Sequence, residues 1–326
     1  MDNIIEIKNL SIQYKTDERT VEAVNNLNLT LARGESLGLV GETGAGKTTT
    51  ALGIMGLIPD PPGLVTAGEI IFEGQDLLKL SKHKLRAIRG NKISMIFQDP
   101  MTSLNPVVTV GDQIAESIRI HERLSRREAS KKAMDMLELV GIPKERYSEY
   151  PHQFSGGMKQ RVVIAIALSC NPELLLADEP TTALDVTIQA QVLELIIKLK
   201  KERNTSMLLI THDLGVVVEV CDKVAIMYAG EIVEYGSLEQ IYDHTCHPYT
   251  KGLFGSIPDI EATVDRLNPI PGLMPDPADL PQGCSFEPRC KLACARCKKE
   301  NPSMVEVEAG HLVKCFNFAK GEERNV

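Results

Sequence analysis

The chain has 326 residues, 43% of them hydrophobic, which is enough for one large domain with a sizeable core and a smaller appendage. A formal net charge of −8 supplies no general basic field for nucleic acid or anionic lipid, so a free-standing nucleic-acid binder is disfavoured. No run reaches the roughly eighteen apolar residues of a membrane-spanning helix, and the acidic start Met1-Asp2-Asn3-Ile4-Ile5-Glu6 lacks the pattern of a secretory signal. Without such a signal, the eight cysteines argue against a disulfide framework and bring metal or cluster binding into consideration.

Residues Ile4 to Tyr14 alternate as a strand, and Val24 to Thr30 with Gly34 predict a second strand and a turn. Tyr14, at the end of the first strand, could stack on adenine or be an ordinary strand-end tyrosine. The apolar run Ser36 to Val40 suits a buried parallel strand. It leads into Gly41-Glu42-Thr43-Gly44-Ala45-Gly46-Lys47-Thr48, which fits the phosphate-loop pattern Gly-x-x-x-x-Gly-Lys-Ser/Thr without a mismatch. Backbone N–H groups must turn inward there, so Gly41, Gly44 and Gly46 leave room for phosphate oxygens. Lys47 supplies fixed positive charge to the β and γ phosphates, and the Thr48 hydroxyl is placed to ligate Mg²⁺. A helix from Thr48 through Thr49 to Met55 would face the anion with its N-terminus.

Gly68 to Gly74 reads as a strand and turn, followed by a polar helix whose Lys82, Lys84, Arg86 and Arg89 form a solvated face. Asn91 to Gln98 is predicted as a strand that Pro100 stops. Gln98 is then left at the carboxyl edge, where ligands of open α/β sheets collect; it could touch Mg²⁺ or the attacking water, or be plain polar surface. From Val110 to Val140 the spacing of Ile114, Ile118, Met134, Leu137 and Val140 turns helical, with a capping box at Ser125 to Glu128. Ser155-Gly156-Gly157 precedes a helix predicted over Val162 to Cys170, either as a second anion-binding N-terminus or as ordinary capping. Leu174 to Glu179 is an apolar strand ending in two acids. Asp178 is placed to hold Mg²⁺ through water, and Glu179 to polarise a water against the γ-phosphate. Met207 to Thr211 is one more apolar strand, with His212 at the same edge.

The ordered set of phosphate loop, Gln98, Ser155-Gly156-Gly157, Asp178-Glu179, Ala183-Leu184-Asp185 and His212 closely resembles the nucleotide-binding subunit of ATP-binding-cassette (ABC) transporters over about the first 240 residues. The resemblance implies an α/β P-loop NTPase cassette: a RecA-like core, an antiparallel β subdomain and an inserted helical subdomain near 104–157. The ATPase domain would span 1–246, and 247–326 would be a small Cys-rich C-terminal extension. It also implies that Tyr14 stacks adenine and that residues 41 to 49 hold ATP. Gln98 would sense Mg²⁺ and the membrane subunits, Glu179 would be the catalytic base and His212 would contact the γ-phosphate. Two cassettes would meet head to tail, with Ser155, Gly156 and Gly157 serving the opposite subunit and Asp185 communicating between the sites. The usual signature is Leu-Ser-Gly-Gly-Gln; Phe154 and Met158 replace its first and last residues here.

Residues 97 to 106, Phe-Gln-Asp-Pro-Met-Thr-Ser-Leu-Asn-Pro, and 247 to 253, His-Pro-Tyr-Thr-Lys-Gly-Leu, resemble the ATPases of dipeptide and oligopeptide importers, a branch that also contains nickel importers. The implied partners are a second ATPase subunit, identical or related, two transmembrane permease subunits and, indirectly, an extracytoplasmic peptide-binding protein. Nucleic acid is not among them. The implied location is peripheral, on the cytoplasmic face of the cell membrane. A soluble cassette switch of translation or DNA repair is the rival reading; its two fused cassettes or long coiled coil are not found in this sequence.

Pro258, Pro269, Pro271, Pro275, Pro277 and Pro281 predict a semi-rigid linker or an extended packed arm. Five cysteines follow, at 284, 290, 294, 297 and 315, in a segment too small to bury much core, which a metal centre would fold by crosslinking. Cys284, Cys290, Cys297 and Cys315 match the cysteine pattern in the tails of peptide-importer ATPases, implying a [4Fe-4S] cluster with Cys294 as an extra thiol. The spacing itself leaves structural Zn²⁺ and plain reduced thiols open, with Cys294-Ala295-Arg296-Cys297 the sole Cys-x-x-Cys. A redox or metal-sensing tail that gates the ATPase is compatible with the transport reading. Cys170, Cys221 and Cys246 are expected to be buried or inert thiols.

Overall fold

The structure, a computed structural model, describes residues 2–182, 184–256 and 270–318; Ala183, Pro258 and Pro269 lie outside the described residues. The first half of the chain runs β1 (Asn3–Lys15), β2 (Thr20–Ala32), β3 (Ser36–Val40), α1 (Lys47–Met55), β4 (Gly63–Phe72), β5 (Gln75–Asp76), α2 (Lys82–Ile88), β6 (Ile93–Ile96), α3 (Pro100–Ser103), α4 (Val110–Glu122), α5 (Arg126–Leu139) and α6 (Gly156–Leu168). The second half runs β7 (Leu174–Asp178), α7 (Val186–Arg203), β8 (Ser206–Thr211), α8 (Leu214–Val220), β9 (Lys223–Tyr228), β10 (Glu231–Ser237), α9 (Leu238–Asp243), α10 (Pro248–Phe254), β11 (Val305–Glu308) and β12 (His311–Val313). Two compact units divide these elements. One comprises Met1–Ile5, Thr30–Ser36 and Ile71–Ile210, the other Glu6–Leu29, Leu37–Ile70 and Thr211–Val326.

In the first unit β6, β7 and β8 form parallel neighbours in the order β8-β7-β6, with Ile93 opposite Leu174 and Leu174 opposite Ser206. Every residue of these strands is buried, which is why they read as continuous apolar runs rather than alternating ones. The helical stretch folds as α4 and α5. Their buried faces are Val110, Ile114 and Ile118, and Ala129, Ala133, Met136 and Leu137; Met134, expected in the stripe, is only half-buried. The Ser125 capping box forms, with the Ser125 N–H donating to Glu128 Oε2 at 3.0 Å and the Glu128 N–H to Ser125 Oγ at 3.4 Å. Lys82, Lys84 and Arg86 of α2 are exposed, a solvated face, whereas Arg89 lies just past the helix and is half-buried.

Several predicted boundaries move, with β2 running Thr20–Ala32 and β4 starting at Gly63, and two of the changes lie beside candidate site residues. The strand expected to reach Gln98 ends at Ile96, and Pro100 opens α3 with the Asp99 side chain accepting from the Met101 N–H at 2.7 Å. Proline suits this first helical position because the missing N–H would have no intrahelical partner there. Helix α6 starts at Gly156 rather than Val162, because Ser155 caps it and supplies the start signal.

In the second unit β1, β2 and β4 lie in the order β2-β1-β4. A further sheet runs β11-β12-β10-β9-β3, with β3 and β9 parallel and the others antiparallel. The C-terminal hairpin β11–β12 thus extends this sheet by pairing Val313 with Glu234 and Leu312 with Tyr235. The sequence predicts that a metal crosslink folds the tail; among the described residues the structure shows backbone pairing of β12 with β10. Glu234 is fully buried and explains the close fit: it accepts the N–H groups of Cys246 at 2.7 Å and His247 at 3.0 Å, and contacts His311 Nε2 at 2.9 Å. The predicted arm is packed where it is described, since Pro277 O accepts the Glu22 N–H at 2.8 Å and Asp276 pairs with Arg19 at 3.3 Å.

Candidate nucleotide site and cysteine cavity

The phosphate loop belongs to the second unit and follows β3. A Cβ on Gly41 would lie 2.2 Å from Met227 O, and one on Gly46, at φ 103°, would lie 2.3 Å from Ala23 O, so backbone approach excludes any side chain at either position. Helix α1 begins with Gly46 as its cap and no side-chain capping bond, the arrangement that leaves a helix N-terminus to an anion. Lys47 is buried, and its Nζ donates to Gly41 O at 2.6 Å and Glu42 O at 3.0 Å, which folds the ammonium back over the loop. Thr43, Gly44 and Thr48 are exposed along the rim, while Ala45 is buried and Thr49 half-buried. The Glu42 carboxylate turns toward Arg289 of the tail, and the Glu42 N–H donates to the Tyr249 hydroxyl at 3.0 Å.

Tyr14 is half-buried at the end of β1, its ring edge against Gly63, where a Cβ would come within 3.0 Å of its Cε1. His212 is exposed directly after β8, and Asp213 caps α8 by accepting the Gly215 N–H at 2.8 Å.

The first unit places Asp178, 2% exposed, as the last residue of β7. Glu179 follows in a left-handed conformation at φ 45°, uncommon for a side chain of this size and the kind of backbone strain that collects at functional positions. Its N–H donates to Ile210 O at 2.8 Å, which fixes the residue to the end of β8. Its Oε2 accepts from Gln98 Nε2 at 2.8 Å and from Thr182 Oγ1 at 2.9 Å. The structure therefore brings together Gln98 and Glu179, which lie 81 residues apart. Thr182 was missed: a threonine three residues after an acid carries no pattern of its own.

Ser155 and Gly156 are exposed at the start of α6, where Ser155 Oγ accepts the Met158 N–H at 3.4 Å. A Cβ on Gly157 would meet Ile188 Cγ2 at 2.5 Å, so the glycine permits close packing of α6 on α7. Asp185, also exposed, caps α7 by accepting the Ile188 N–H at 3.0 Å. Both residues that depart from the usual signature pack against Arg146. Its guanidinium lies 4.2 Å from the centre of the buried Phe154 ring, and its Nη1 contacts Met158 Sδ at 3.3 Å.

Cys284, Cys290, Cys297 and Cys315 line one cavity together with His247, Phe286, Leu292 and Phe316. Cys294 is not on this wall; its Sγ lies 3.3 Å from that of Cys297. Burial pushes all four lining thiols up, Cys315 to about 11, and the neighbouring thiols push Cys315 in the same direction. Four soft donors facing one apolar hollow fit a soft-metal centre, whose cation would stabilise the thiolates that burial disfavours. Tetrahedral zinc, with Zn–S near 2.3 Å, would bring its four sulfurs to within about 4 Å of one another. Among the described residues, the set of three ligand atoms all within 4.8 Å of one another is Glu234, Cys246 and His311, not the tail thiols. This second set was not foreseen from sequence; Cys246, expected to be buried or inert, is half-buried. His311 also contacts Glu308 at 3.3 Å, so the set reads as a hydrogen-bonded clamp between strands and the chain after α9.

No helix among the described residues is long and apolar enough to cross a membrane. A family model described as ABC transporter matches residues 24–182, and one described as oligopeptide/dipeptide transporter, C-terminal region, matches residues 233–297. The oligopeptide transport ATP-binding protein AppD of Bacillus subtilis (strain 168) is 48% identical over 320 residues, 98% of this chain and 98% of that protein. The dipeptide transport ATP-binding protein DppD of the same organism is 48% identical over 318 residues, 97% and 95% of the two chains. Among solved structures, the dimeric post-hydrolysis state of the ATP-binding cassette MJ0796 bound to ADP and Pi is similar at a TM-score of 0.65 and 30% identity, covering 72% of this chain and 98% of that one. The chain has the ABC cassette fold and belongs to the family of ATP-hydrolysing, ATP-binding proteins of oligopeptide and dipeptide ABC transporters.

Proposed function

We propose that this chain is the ATP-hydrolysing subunit of an importer of dipeptides or oligopeptides, working at the cytoplasmic face of a membrane with two permease subunits and a second cassette. The observation that carries the catalytic part is Glu179, held in left-handed backbone with Gln98 and Thr182 donating to its carboxylate. The reaction is ATP + H₂O to ADP and phosphate. Glu179 takes the proton of the attacking water while Gln98 orients that water and would help to hold Mg²⁺. The amides of residues 41 to 49 and Lys47 hold the β and γ phosphates. Thr48 and Asp178 serve Mg²⁺, His212 contacts the γ-phosphate and Tyr14 stacks on adenine. Ser155, Gly156 and Gly157 face a nucleotide held by the second cassette, and Asp185 links the two sites. Residues 1–246 form the ATPase domain and 247–326 the extension. Cys284, Cys290, Cys297 and Cys315 hold a [4Fe-4S] cluster in that extension, which supplies a soft cationic crosslink when bound; their shared cavity supports this reading.

Likeness across nearly the whole chain to proteins named for oligopeptide and dipeptide transport supports the substrate class. The test is uptake into vesicles carrying the assembled transporter and its peptide-binding protein. ATP-dependent accumulation of labelled di- and tetrapeptides is expected. Accumulation of Ni²⁺ with no peptide uptake would overturn the substrate assignment.

A further inference from the structure

The phosphate loop carries an acid, Glu42, inside the segment that must receive a polyphosphate. Left unpaired, that carboxylate would repel the nucleotide and let a glycine-rich loop wander. The structure pairs it from the tail. Arg289 Nη1 lies 3.1 Å and 3.0 Å from the two Glu42 oxygens, and the Arg289 side chain is only 6% exposed. The rest of the guanidinium is spoken for: Nε donates to Pro271 O at 3.0 Å, Nη2 to Ile270 O at 3.4 Å, and Nη1 also reaches the Tyr228 hydroxyl at 3.4 Å. Its position is therefore set by the tail and by β9 independently of Glu42.

A second anchor acts on the same residue. The Glu42 N–H donates to the Tyr249 hydroxyl at 3.0 Å, and Tyr249 is fully buried, its ring 4.6 Å from that of Tyr228 and 5.5 Å from that of Phe286. Buried His247, held neutral with its ordinary value lowered to about 3 by burial, starts this turn by accepting the Tyr249 N–H on Nδ1 at 3.1 Å. A third contact comes from Met274, whose methyl lies 3.2 Å from the Cβ position of Gly44. Residues 42 and 44 of the loop are thus gripped at carboxylate, amide and open face by side chains from beyond residue 246.

We propose that Arg289 is a positioning residue for nucleotide binding, neutralising Glu42 and holding the phosphate loop in its receptive shape, so that the C-terminal extension completes the nucleotide site. This rests on the phosphate loop being that site. The neutralisation predicts an unusual rescue, because the damage caused by losing Arg289 comes from the carboxylate left behind.

The experiment measures KM and kcat for MgATP on the assembled transporter, with melting temperature as the fold control. Arg289→Gln raises KM on the order of tenfold with kcat nearly unchanged, and added salt narrows the gap by screening. The double variant Glu42→Gln/Arg289→Gln returns KM to within about threefold of wild type, and Arg289→Lys falls between, keeping the charge without the guanidinium's further bonds to Pro271 and Ile270 that hold it in place. An unchanged KM in Arg289→Gln, or a double variant as impaired as Arg289→Gln, overturns the proposal. If Arg289→Gln does not fold, Arg289→Lys with and without Glu42→Gln decides by the same comparison. Lys47→Ala separates the premises: wild-type nucleotide binding in that variant would reject the phosphate-loop site itself, whatever Arg289 does.

Discussion

Tyr249 shows how one hydroxyl ties a recognisable motif to chemistry. In His247-Pro248-Tyr249 the histidine caps α10, the proline occupies its first turn and the tyrosine accepts the Glu42 N–H. Tyr249→Phe keeps the ring packing and deletes the acceptor, leaving that amide without this partner. The expected cost is about 1–2 kcal/mol of unfolding free energy by urea titration, with the cysteine cavity intact. The residues that sequence made legible are those whose chemistry needs a fixed type at a fixed spacing: Gly41, Gly46 and Lys47 in the loop, and Asp178 and Glu179 after an apolar run. Arg289 was not legible because its partner lies 247 residues away and a surface reading of a lone arginine is always available. Cys170 and Cys221 are buried and Cys246 half-buried, and nothing in the spacing of an isolated cysteine announces its neighbours Glu234 and His311.

Elements were readable where burial imposes a period. Strands β3, β7 and β8, buried throughout, appeared as apolar runs, and α4 and α5 as helical stripes. Strands β9 to β12 were not read: β9 was missed although five of its six residues are buried, buried Glu234 breaks the apolar run of β10, and alternating Val305-Glu306-Val307-Glu308 belongs to an exposed edge. The turn between β4 and β5 carries a charge cluster that can be tested separately. Glu73 is bound by Lys92 and lies 3.1 Å from Arg33, which itself reaches Asp2 at 3.0 Å and Glu173 at 2.7 Å. The Lys92 ammonium, with Arg33, holds the Glu73 carboxyl at about 2, below its usual value of 4.5. A depressed carboxylate stabilises the fold fully above its unfolded value and loses that contribution as pH falls through the folded one. Glu73→Gln should therefore cost on the order of 1 kcal/mol at pH 7, after allowing for solvent screening, and the difference from wild type should shrink between about pH 4.5 and 2. Urea titrations across that range check it; a cost that stays constant with pH would mean that packing, not charge, is involved.

At the scale of the whole molecule the tail is tied to the phosphate loop. The extension adds strands to a sheet, seats Tyr249 and Arg289 against the phosphate loop and gathers four thiols around a cavity. Iron and acid-labile sulfide analysis of anaerobically purified protein should give about four of each per chain. Serine at Cys284, Cys290 or Cys315 should lower both, whereas Cys294→Ser should leave them unchanged; about one zinc and no sulfide would replace the cluster with a structural clip. The ATPase assignment stands apart from that outcome. Its most direct test is single-turnover hydrolysis of MgATP by the assembled transporter carrying Glu179→Gln, read beside nucleotide affinity. Wild-type ATP affinity is expected, with hydrolysis slowed by at least about 100-fold, the loss of a general base. Hydrolysis within a few-fold of wild type would contradict it and remove Glu179 from the reaction.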